Sequence, residues 1–174
     1  MRHFNDQYNK LNETISAYSR TKIIIRSYLF IIAIWIIYGI LQLHYPALDQ
    51  TDISLTNSVW YKNTLTRFVI IVIIGPLIET LIYHYSIYHL IKNTPLTEAR
   101  SKTIIIVSSL LFALSHFYNV SFILYAFLIG ILFMLVYINR IKKGDAFVIV
   151  YIIHAIFNLT LFTVNFIIIP HFLP

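Results

Sequence analysis

Apolar residues along this chain gather into five runs separated by short polar segments. Such runs are the sequence mark of membrane-crossing helices. They predict spans over Ile23–Leu43, Phe68–Ile91, Lys102–Tyr118, Val120–Ile138 and Ala146–Ile169. The third is short for a bilayer, and almost nothing separates it from the fourth, so the two are predicted to form a tight antiparallel hairpin. The first follows a basic segment, as a signal peptide would. It exceeds the usual apolar length of one and lacks a convincing small-residue cleavage site, so it reads as a retained span.

Ahead of these runs, residues 1–22 are polar, yet Phe4, Tyr8, Leu11, Ile15 and Tyr18 recur at alternating four- and three-residue steps. That spacing draws one apolar stripe along a helix. It fits either an interfacial helix on the inner leaflet or a soluble helix packed on one end of the bundle. Two local signals complete the pattern. Trp60–Tyr61 suits a membrane–water boundary, and Asn93-Thr94-Pro95 suits a helix cap with proline in the first turn. The predicted fold class is thus all-α: a polytopic membrane helical bundle of about five transmembrane helices plus an amphipathic N-terminal helix. Its organisation is residues 1–22, then one membrane-embedded domain over 23–174.

Composition supports that class, with 59% hydrophobic against 11% charged residues. Cysteine is absent, which excludes disulfides, thiolate metal ligands and a cysteine nucleophile. The net charge of +6 is dispersed in short groups between the apolar runs and forms no patch for nucleic acid. With the N-terminus in the cytoplasm, every Lys and Arg except Lys62 and Arg67 falls on the inner side. Five spans then leave the C-terminus outside. An integral protein of a bacterial inner membrane fits best, with the lipid bilayer as its surroundings.

Glu79 lies inside the second run, where a carboxylate costs on the order of 2.5–3.5 kcal/mol and marks a functional site by default. Gly75–Pro76 just before it predicts a kinked or broken helix, and if the helix restarts at the proline its new N-terminus would favour an ionised Glu79. His116 and His154 also sit within apolar runs, with Asn158 one helical turn beyond His154. From the inner ends of their spans, Glu79, His116 and Asn158 come out at roughly 18, 21 and 20 Å, and His154 at roughly 14 Å. Each alone has a plainer reading, as interhelical packing or an ion-pair partner. The other histidines, His3, His44, His89 and His171, lie at ends or interfaces; His84 stands apart from them.

A carboxylate and imidazoles around a water can hydrolyse a peptide bond without a covalent nucleophile. The HExxH, GxSG and GxGD motifs of other intramembrane proteases are absent. Two further classes compete. A non-catalytic immunity or scaffold protein would use the same polar groups for helix packing, and an ion or proton pathway would use them for transfer. The peptidase reading expects the four groups to surround one water-sized site open to the cytoplasm.

Three segments carry a resemblance: Glu79-Thr80-Leu81-Ile82-Tyr83-His84, the SSxxFxxxH stretch Ser108–His116 with Phe112, and the HxxxN stretch His154–Asn158. In order and on separate spans, they are similar to the three motifs of the CPBP family, the CAAX-protease and bacteriocin-processing membrane endopeptidases, also called the Abi family. The resemblance implies a helical intramembrane endopeptidase acting on a membrane-associated peptide or protein. It implies Glu79 as the water-activating base with His116 assisting, and His154 and Asn158 holding the oxyanion. No cofactor is required in that reading. The family has also been described as metal-dependent, and Glu79, His116 and His154 would then ligate zinc. Where the family's EExxxR pattern has a second glutamate and an arginine, this chain has Thr80 and His84. With Phe112, these are the expected supporting or substrate-positioning residues.

Overall fold

The computed structural model describes residues 18–45, 63–92, 100–116 and 119–168. Among the described residues there are five helices and no strand: α1 Arg20–His44, α2 Thr64–Lys92, α3 Arg100–Leu114, α4 Val120–Ile141 and α5 Ala146–Thr163. A wide turn over Val164–Ile168 extends α5. Four of the helices are long and apolar enough to cross a membrane, and α3 is the shorter fifth. The all-α polytopic bundle is therefore as the apolar runs predict, and the protein is an integral membrane protein. The stripe through Phe4, Tyr8, Leu11 and Ile15, the Trp60–Tyr61 pair, the Asn93-Thr94-Pro95 cap and the tail from residue 169 lie outside the described residues. One boundary moves. Residues 20–22 already belong to α1, which Ser19 caps by accepting from the Lys22 amide at 3.3 Å.

α4 is the centre of the bundle. In its most apolar stretch 44% of residues are buried, against 17% in α1 and in α2. The α1 residues Ile25, Leu29, Phe30, Ile36, Ile37 and Ile40 stay exposed, as a lipid-facing helix requires. The α3–α4 hairpin is as tight as its short connection implies. At Gly130 an added Cβ would sit 2.9 Å from Ser109 Cα, so only a glycine lets these backbones approach so closely. Asn119 caps α4 by accepting from the Phe122 amide at 2.7 Å.

At the opposite end of α4 a charged clamp ties three segments together. Arg140 donates to Asp145 through Nε at 2.8 Å and through Nη2, and to the Tyr18 carbonyl through Nη1 at 3.1 Å. Arg20 adds a bond to Asp145 at 2.7 Å. Arg140 and Asp145 are both buried. Between them, Gly144 adopts φ 71°, the left-handed conformation that ends α4 and turns the chain into α5.

Candidate active site

α2 runs unbroken through the position where a break is expected. Three α-helical pieces, Thr64–Phe68, Gly75–Glu79 and Ile87–Lys92, alternate with two wide π-type segments, Val69–Ile74 and Thr80–Ser86. Backbone dihedrals stay right-handed from Ile74 through Thr80. The Gly75 amide donates to Ile70 O, one residue further back than an α-helix would reach. This wider turn accommodates a proline whose ring would otherwise clash with the preceding turn. There is accordingly no new helix N-terminus at Pro76, and no such dipole acts on Glu79.

The wide segments also serve the inward face of α2. Val72, Pro76, Thr80 and His84 are all buried, at a strict four-residue spacing. In a regular α-helix such a row drifts by about 40° per step, because four residues overshoot a 3.6-residue turn. Widening the turn on either side of Gly75–Glu79 keeps the row on one face. The adjacent row, Ile71, Gly75 and Glu79, thereby faces a cavity of about 290 Å³.

That cavity is lined by Glu79, His116, His154 and Asn158, from α2, the turn after α3, and α5. The Oε2 atom of Glu79 lies 3.5 Å from His154 Nε2 and 3.7 Å from His116 Nε2. Both gaps exceed a direct hydrogen bond and suit a bridging water. His116 is not within its span, which is expected to run on to Tyr118. It sits in a turn beyond the end of α3, where its amide bonds Ala113 O at 3.0 Å. Its Nδ1 lies 2.7 Å from Phe112 O, and a carbonyl only accepts, so Nδ1 carries the proton. When the ring is neutral, it is therefore the Nε2 lone pair that faces Glu79.

Phe112 explains the FxxxH spacing. One turn before His116, its ring packs on those of His116, His84 and His154 with centroids 4.6, 5.6 and 5.8 Å away. Phe133 closes the other side of His154 at 4.9 Å. The two serines have separate tasks. Ser109 faces Gly130, while Ser108 donates to Tyr83 O at 2.7 Å and meets His84 Nδ1 at 3.0 Å. Since the serine hydrogen is on the carbonyl, His84 donates from Nδ1. Thr80 and His84 do not line the cavity; both are fully buried beside it. His84 thus joins α2 to α3 rather than meeting the space where a substrate would enter.

The interhelical contact weighed for Asn158 is present, and a second feature, at Tyr125, had no counterpart in the sequence reading. Asn158 directs its amide nitrogen to Ile71 O at 2.9 Å, the carbonyl that Pro76 leaves without an intrahelical donor. Tyr125 lines the same cavity with a buried, unpartnered hydroxyl, as do the unpartnered Glu79 Oε2 and buried His154. Nothing in the α4 pattern distinguishes Tyr125 from its apolar neighbours. Two imidazoles and a carboxylate are suitable donors, but among the described residues no three such side chains are arranged to hold a metal ion.

The cavity's place along the helices agrees with the depths expected for Glu79, His116 and Asn158. Ile70, Ile71, Phe122 and Leu161 line it, and all lie toward the helix ends remote from the Arg140–Asp145 clamp. It does not sit at the basic end of the bundle.

A family model described as type II CAAX prenyl endopeptidase Rce1-like matches residues 61–160, more than half of the chain, including Glu79, His116, His154 and Asn158. The chain belongs to that family. Membership in the Rce1-like family supports a CAAX-type intramembrane protease, with a membrane-associated peptide or protein as its substrate. Comparison with curated proteins and with solved structures gives no match. The α1 helix lies outside the Rce1-like match and packs on α4 and α5.

Proposed function

We propose that this Rce1-like protein hydrolyses a peptide bond of a membrane-associated peptide by activating one water at Glu79. The observation carrying this reading is the convergence of His116 Nε2 and His154 Nε2 on a single Glu79 oxygen within a cavity. A water there donates one hydrogen to Glu79 Oε2 and the other to His116 Nε2, which leaves an oxygen lone pair facing the substrate carbonyl. As that oxygen bonds to the carbonyl carbon, Glu79 takes the proton. His154, with the amide hydrogen of Asn158 that is not bound to Ile71, stabilises the oxyanion. The C–N bond then breaks, and the proton held by Glu79 passes to the leaving amine. Every step uses groups of the chain itself.

The positive-inside bias supports an orientation with the N-terminus and the Arg140–Asp145 clamp in the cytoplasm, as in a bacterial inner membrane. The cavity then lies in the outer half of the bilayer. The Asn158–Ile71 bond is the observation that favours the non-catalytic alternative, since it is a helix–helix contact. One experiment separates the two. Purified protein in liposomes is given a C-terminally lipidated CAAX peptide and an unlipidated transmembrane peptide, and new termini are read by mass spectrometry. Cleavage by the native chain and none by Glu79→Gln supports the peptidase; equal products from both chains overturn it. A parallel reaction with a chelator tests the zinc variant.

A further inference from the structure

We propose that Pro76 is a positioning residue, and that with Asn158 it locks the register in which α2 presents both Ile70 and Glu79 to the cavity. The argument starts from hydrogen bonding. With the Gly75 amide on Ile70 O, the next bond of the wide turn would join residue 76 to Ile71 O. Proline has no amide hydrogen, so that bond is missing, and a carbonyl inside a membrane bundle must find another donor. Asn158 supplies it at 2.9 Å. The two residues are complementary: Pro76 forbids the carbonyl its intrahelical donor, and Asn158 anchors that carbonyl to α5, one turn from His154. Gly75 belongs to the same device. A Cβ there would press on Ile70 O at 3.0 Å and approach Glu79 Oε1 at 3.8 Å.

If the wide turn reverts to a regular α-turn, one residue is lost from the count. The stretches on its two sides then rotate against each other by about 100°, the advance of one residue in a 3.6-residue turn. Ile70 and Glu79, both lining the cavity now, could no longer line it together. Pro76→Ala restores the missing amide hydrogen and permits that reversion. The functional half of this inference rests on the peptidase reading; the register half does not.

The chain has no cysteine, so single Ile70→Cys and Glu79→Cys substitutions report the register through labelling by a water-soluble thiol reagent. In the native background both are expected to label. With Pro76→Ala, one of them should label at least about 10-fold more slowly, as a one-residue rotation turns it from the cavity. In the otherwise native chain, Pro76→Ala should lower kcat by about 100-fold while KM changes little, the signature of a displaced catalytic group. If Pro76→Ala does not fold, Asn158→Ala, which removes the external donor, should change the same labels. Unchanged labelling at both positions in the folded variant overturns the lock. Altered labelling with native kcat overturns the positioning role. Should Glu79→Gln retain turnover, the peptidase reading falls while the labelling still decides the register.

Discussion

Glu79 carries a carboxyl group into a cavity within the bundle, where the facing polar groups stand at water-bridging distance. Its Oε2 is faced by two ring nitrogens, and one of those rings has its tautomer fixed by the Phe112 carbonyl. Replacing His116 by Ala removes one acceptor for the attacking water, and kcat should fall by about 10²–10⁴-fold, the usual worth of a positioned acid–base group. Steady-state kinetics at matched protein concentration checks this, and an unchanged kcat would assign His116 to packing. A second residue-scale expectation concerns the clamp. The hydrogen bond from Arg140, aided by Arg20, holds the Asp145 carboxyl below its ordinary range. A depressed folded pKa means the stabilisation is complete above the unfolded value near 3.9 and is lost as pH falls through the lower folded value. Thermal unfolding in detergent should therefore show native protein losing stability below about pH 4, a loss that Asp145→Ala lacks. At neutral pH that variant leaves Arg140 buried without its partner, at a cost of about 3–5 kcal/mol.

Among the elements, α2 is where sequence and structure part. The length and apolarity of the spans were readable because bilayer thickness fixes them, and the three motif segments do meet at one cavity. The proline was readable too, but its effect was not. A proline in an apolar run predicts a break when helices are assumed to have one pitch, whereas here two wide turns absorb it and preserve the four-residue row Val72, Pro76, Thr80 and His84. The row was visible in the sequence only as buried-type residues scattered through an apolar run, where periodicity carries little contrast. The partner of Asn158 and the whole role of Tyr125 were hidden for another reason: which carbonyl an amide meets, or which cavity a tyrosine lines, depends on a partner helix. The α3–α4 pair yields an expectation of its own. Gly130→Ala drives a methyl to 2.9 Å from Ser109 Cα and 3.2 Å from the Phe112 ring. It should cost about 1–3 kcal/mol by overpacking and, through Phe112, disturb the His116 and His154 rings beside Glu79. A lower melting temperature together with reduced turnover is the expected result; native values of both would mean that the hairpin yields without strain.

For the whole molecule, the clamp and the cavity stand at opposite ends of the bundle, so orientation decides from which side a substrate reaches Glu79. With the basic end inside, a membrane-impermeant thiol reagent added to intact cells should label Leu65→Cys, near the outer end of α2, and spare Lys142→Cys until the membrane is opened. The reverse pattern would turn the site toward the cytoplasm. The same architecture accounts for family membership despite the loss of the second glutamate and the arginine. His84 takes up a buried bond to Ser108 between α2 and α3, and the groups facing the cavity remain in place. The most direct test of that account is turnover of a membrane-associated peptide by Glu79→Gln, measured beside the native chain at equal melting temperature. A loss of at least about 10²–10³-fold in kcat with KM preserved is expected if Glu79 takes the proton from water. Turnover equal to the native chain's would contradict it.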